Sequence, residues 1–170
     1  MTPMPTAAAR QRGVGLLEVL LAVVVVSIGF LSVARMQMEG MRASREAYAL
    51  SQARLMLTDM TERMRANRPG LASGAYDALD TAADAAPPDC TTNGVRCTPA
   101  ELARADLHAW SARLHGTPGE SGFVPLLPSG AGGAAAGRVR RDGTDGWSVT
   151  LEWYDAASDA MRSIATRVIR

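Results

Sequence analysis

Lysine is missing from this chain, and all 18 basic residues are arginine. We read that as a GC-rich coding bias rather than a functional choice. A dominant charge is missing too: 17 acids offset the arginines, for a formal net charge of +1. That balance, with the arginines scattered along the chain, argues against the electrostatic footprint of a nucleic-acid-binding domain. Cysteine and histidine are scarce, at two each. Cys90 and Cys97 have no Cys or His cluster near them and make a poor zinc site. His108 and His115 lie two turns apart on the more polar side of a predicted helix with no third ligand, so they read as surface histidines. Catalytic signatures are missing as well: there is no G-x-S-x-G, no H-E-x-x-H and no Cys-His pair in a plausible order. The Gly-rich stretch 130–137 lacks the strand-then-helix context of a phosphate loop and reads as a connection. No catalytic residue, metal or cofactor is assigned.

What the chain does have is an apolar run from Val14 to Ala34, flanked by Arg10, Arg12 and Arg35. At about 1.5 Å per residue a helix of that length crosses the roughly 30 Å hydrocarbon core of a bilayer. Its only ionisable residue is Glu18, one turn inside. A carboxylate in lipid costs about 2.5 kcal/mol or more at mid-bilayer and less near the edge, so an intramembrane acid usually has a partner. The N-terminal arm carries arginines and no acid, which by the positive-inside rule keeps it cytoplasmic and puts the rest of the chain outside. Three treatments of the N-terminus remain open: a leader cut before the run, a secretory signal cut after Ser32-Val33-Ala34, and an uncleaved anchor. The length of the run and the early Glu18 weigh against the ordinary signal.

Helical periodicity continues past Arg35. Ala43, Ala47, Leu50, Ala53, Leu57, Met60 and Met64 form an apolar stripe, which predicts one helix over 14–66 that stops near Asn67-Arg68-Pro69-Gly70. The methionines along it read as adaptable packing rather than a soft-metal strip. Residues 70–97 read as a loop. If this part is exported, Cys90 and Cys97 are expected to close a small disulfide around Asn93-Gly94; the alternative is a pair of free or metal-linked thiols. A second helix opens with Thr98, Pro99 and Glu101 in a capping box, buries Ala103, Leu107, Trp110 and Leu114, and ends at Gly116. The period then falls to two. Trp147, Val149, Leu151 and Trp153 alternate with polar residues, which predicts a strand paired with 137–141 on one side and 163–169 on the other. The expected fold is α+β: a long N-terminal helix packed on an antiparallel sheet of about three strands, with one extra helix.

Arg12-Gly13-Val14-Gly15-Leu16-Leu17-Glu18 followed by an unbroken apolar helix resembles the class III signal of type IV pilins and pseudopilins. The segments Glu62 to Gly70, the Cys pair ahead of Asp106-Leu-x-x-Trp110, and Thr150 to Asp155 resemble PilV-type minor pilins. The resemblance implies cleavage by a prepilin peptidase after Gly13 and N-methylation of Val14, although the first mature residue is usually Phe in that family. It also implies that Glu18 contacts the N-terminal amine of a neighbouring subunit during assembly. Loss of the leader would make that amine available as the partner a buried carboxylate requires. The implied division is 1–13 leader, 14–34 transmembrane half of the helix, 35–68 amphipathic half and 69–170 periplasmic head.

The function so implied is a minor pilin of the bacterial inner membrane that helps initiate type IV pilus assembly, with the tip as a candidate position, in support of twitching motility and adhesion. Its implied partners are prepilin peptidase, other minor pilins, the major pilin, the inner membrane and the assembly platform, with no specific nucleic acid and no enzymatic activity. A pseudopilin of a type II secretion system is the alternative. Another class is also open, a membrane-tethered periplasmic enzyme or binding protein.

Overall fold

The computed structural model describes residues 15–83, 86–92, 95–117, 121–130 and 133–169. Helix α1 runs from Leu16 to Ala66 without a break, as its lack of proline and turn residues predicts. The chain divides into two compact units between Ala43 and Ser44. In the first unit every described side chain is exposed. In the second, α1 buries Ala49, Ala53, Met56, Leu57, Met60, Thr61 and Met64. The observed face is thus turned from the predicted stripe: Ala43 and Ala47 are exposed and Leu50 half-buried, while Ala49 and Met56 are buried. A stripe wide enough for a helix interface admits more than one choice of edge residues, and packing against the sheet makes the choice.

Asn67 stops α1 and caps the short helix α2 (Arg68–Ala72), its Oδ1 accepting from the Gly70 N–H at 3.1 Å. Strand β1 (Ala78–Asp80) and helix α3 (Asp89–Thr92) follow. These three elements correct the reading of 70–97 as a loop. Each is five residues or fewer, too short to show a period. Helix α4 (Pro99–His115) begins with both halves of the capping box, Thr98 accepting from the Glu101 N–H and Glu101 from the Thr98 N–H. It ends at Gly116, whose φ of 78° suits glycine.

Strands β2 (Ala136–Arg141), β3 (Gly146–Asp155) and β4 (Ala160–Ile169) make an antiparallel meander. β1 adds a fourth strand to the predicted three, pairing with β2 in the order β1-β2-β3-β4. Opposite charges set that added register: Arg138 on β2 reaches Asp80 on β1 at 3.2 Å and Glu152 on β3 at 2.5 Å. The inward face of β3 presents Trp147, Val149, Leu151 and Trp153, all buried. They form one core with Met56, Met60 and Met64 of α1, Tyr76, Leu127, and Ala103, Trp110 and Leu114 of α4. Trp110 lies so close to β2 that a Cβ on Gly137 would fall 2.4 Å from its ring, so this crossing requires glycine.

Candidate assembly surface

Apolar side chains leave the first unit with a surface unlike that of a soluble helix. Leu16, Leu17, Val19, Leu20, Leu21, Val23 to Val26, Ile28, Phe30, Leu31 and Val33 are all more than half exposed. The two hydroxyls of this stretch turn back onto the helix: Ser27 donates to the Val23 carbonyl at 2.7 Å and Ser32 to the Ile28 carbonyl at 2.9 Å. No polar group of theirs then requires water, as suits a helix immersed in lipid or among other apolar helices. Gly29 has open space where a Cβ would stand, leaving a flat spot for close approach by a neighbouring helix. The apolar stretch gives way to the exposed ion pair Arg35–Glu39 at 3.1 Å.

Glu18 lies in the first turn of α1, exposed among leucines and valines, with its N–H donating to the Gly15 carbonyl at 2.9 Å. Gly13 and Val14, the candidate residues for cleavage and N-methylation, lie outside the described residues.

The second unit holds a buried polar cluster that orders the end of α1. The Asn67 Nδ2 donates to the Pro99 carbonyl at 2.8 Å and to the Tyr76 hydroxyl at 3.0 Å. The Tyr76 hydroxyl donates to Asp106 Oδ2 at 2.6 Å, and Arg63 Nη1 donates to Asp106 Oδ1 at 3.3 Å. Arg63 also holds Asp59 at 2.9 Å, and Arg113 of α4 reaches Asp59 at 3.0 Å. Burial, and then the Asp106 carboxylate, push the Tyr76 hydroxyl well above its ordinary range. The cluster locks α1 to α4 and to the segment after α2. It gathers residues from the 62–70 and 106–110 segments, so those segments act here as a clamp. Tyr76 was not legible as a member, because it stands in a stretch without periodicity.

Cys90 and Cys97 are joined in a disulfide, resolving the choice between bonded and free thiols. His115 is exposed, and partial desolvation lowers its pKa. His108 is half-covered rather than fully at the surface. Among the described residues there is no group of three or more His, Cys, Asp or Glu side chains able to hold a metal ion.

Residues 35–108 match a family model described as Tt1218-like, type IV pilin Tt1218. No curated protein and no solved structure matches the chain. The matched stretch holds Asp59, Arg63, Asn67, Tyr76 and Asp106 of the clamp, together with the disulfide and the Thr98 cap. With a long N-terminal helix whose apolar part precedes that match, the chain is a type IV pilin-like protein.

Proposed function

We propose that the chain is a minor pilin, held in the inner membrane by the apolar part of α1 with its head in the periplasm, that helps to start type IV pilus assembly. The observation that carries this is the exposed apolar stretch of α1 from Leu16 to Val33, whose single acid, Glu18, lies in the first turn. A carboxylate among lipid tails is stabilised by a cation. Cleavage after Gly13 by a prepilin peptidase would create one: the amine of Val14, which is also the candidate for N-methylation. Glu18 of an incoming subunit would then pair with such an amine on a neighbour, while apolar helix packing supplies the remaining attraction. In this reading the chain works with other minor pilins, the major pilin and the assembly platform, and it has no catalytic role.

Glu18→Ala decides the matter. The variant is expected to insert into the membrane at wild-type level and to be lost from purified pili by at least tenfold, with surface piliation and twitching reduced. Normal incorporation of the variant overturns the assigned contact. Loss of secretion of folded proteins with pili intact would instead assign the chain to a secretion pseudopilus.

A further inference from the structure

The hydrogen-bond phase of the sheet can be followed outward to its last strand. Asp142 donates its N–H to the Gly146 carbonyl at 2.8 Å, closing the β2–β3 hairpin. Antiparallel pairs alternate between bonded and non-bonded, so Ser148, Thr150, Glu152 and Tyr154 turn their backbone groups toward the β2 side. The Tyr154 N–H agrees, donating to the Pro128 carbonyl at 3.2 Å. Trp147, Val149, Leu151 and Trp153 therefore bond to β4, opposite Val168, Thr166, Ile164 and Arg162. That leaves Met161, Ser163, Ala165, Arg167 and Ile169 with N–H and C=O groups directed away from the sheet. Among the described residues no strand pairs with this edge.

Proteins usually blunt such an edge with proline, a bulge, a free charge or a short strand. β4 has 10 residues, no proline and an uninterrupted register with β3. Its two arginines are engaged elsewhere, Arg162 with Asp155 and Glu46, and Arg167 with Asp142. Beside the edge, on the α1 side, lies a groove of about 420 Å³ lined by Arg54, Leu57, Thr58, Thr61, Ile164 and Thr166. A strand added to β4 would send alternate side chains into that groove, which is the arrangement by which strand addition gains specificity. The lining suits small apolar or β-branched side chains. Arg54 is exposed and has no ion pair among the described residues, so it suits a carboxylate.

We propose that the free edge of β4 and the groove beside it receive an extended segment of a different pilin by strand addition, a segment with small apolar side chains at alternate positions and a carboxylate facing Arg54. The inference rests on the minor-pilin reading and names a partner surface for it. Charge decides against a second copy as occupant: β4 carries two arginines and no acid. A β4 strand from a second copy would bring no carboxylate to Arg54 and leave both Arg54 side chains unpaired.

The test uses the full chain in cells that make the fibre, with the photo-crosslinker p-benzoylphenylalanine at Thr58. Ultraviolet capture followed by mass spectrometry is expected to find one segment of another pilin, extended and alternating, with an acid near the crosslink. Ala165→Pro removes an outward N–H without taking a bond from the β3–β4 ladder, and should lower the yield at least tenfold. Hydrogen exchange on the unsubstituted chain guards against a folding defect in that variant. The amides of Ser163, Ala165 and Arg167 should exchange at least tenfold more slowly in complexes with the other pilins than in the detergent-solubilised chain alone. Capture of a second copy, capture of a helical segment, or unchanged exchange in a complex that contains the chain overturns the strand-addition proposal and leaves the minor-pilin reading standing. A chain found in no pilus or pilin complex overturns both.

Discussion

Asp106 is a carboxylate placed where a helix face would otherwise carry an apolar side chain, and its cost of burial is offset by two donors, Tyr76 and Arg63. Removing it leaves the Tyr76 hydroxyl buried and short of its acceptor. Asp106→Ala is expected to destabilise the head by about 2–3 kcal/mol and Tyr76→Phe by about 1 kcal/mol. In the double variant the two losses should fall short of their sum, as read by denaturant unfolding of the detergent-solubilised chain; strict additivity would break the proposed link. Asp155 gives a pH signature of its own. Its carboxylate accepts from the Ala157 N–H at 3.0 Å and the Ser158 hydroxyl at 2.8 Å and pairs with Arg162, and these partners hold its pKa below the ordinary 3.8. A carboxyl depressed in the folded state contributes stability above its unfolded pKa and loses it as pH falls through the folded value. Asp155→Asn should therefore melt below wild type at pH 7, and the gap should close as pH falls below the ordinary carboxylate range. A gap that persists at low pH would assign the effect to packing.

The elements differ in how clearly the sequence announces them. Helix α4 was legible to the residue at both ends, because its capping box and terminal glycine act locally. Strand β3 was legible because burial on one face imposes period two. β1 was not: three residues carry no period, and it is a strand only because β2 offers an edge and Arg138 an ion-pair partner for Asp80. β4 also begins at Ala160 rather than 163, since pairing with β3 extends it to the Asp155–Ala160 pair, beside a turn in which Asp159 takes φ of 50°. The disulfide belongs to the element scale. It joins cysteines separated by 7 positions in a segment that otherwise holds only short elements. Replacing both cysteines with serine should cost about 2–3 kcal/mol by the loop-entropy estimate for so short a ring. Reduction of the wild-type chain should lower its melting temperature comparably, and an unchanged melting temperature would show that the ring constrains nothing that matters to folding.

At the scale of the molecule, two units answer to different surroundings. The second has a core of its own in which α1, α4 and one face of the sheet share buried side chains. Among the described residues of the first there is none, and its exposed apolar helix surface suits lipid or neighbouring apolar helices. An arginine at Val24 should cost about 2.5–3.5 kcal/mol of membrane insertion. Alkaline extraction of membranes should then release the variant, while its head melts at the wild-type temperature; a Val24→Arg chain that stays in the membrane fraction would count against the anchor. The sequence by itself determined the long helix, the capped second helix, the alternating strand and the position of Glu18, because each rests on local periodicity or on a charge set against an apolar background. Tertiary structure alone decided which edge of the α1 stripe is buried, the fourth strand, the clamp of Asn67, Tyr76, Asp106 and Arg63, and the open edge of β4. Those depend on which residues far apart in the chain come within bonding distance, and neither propensity nor period carries that distance.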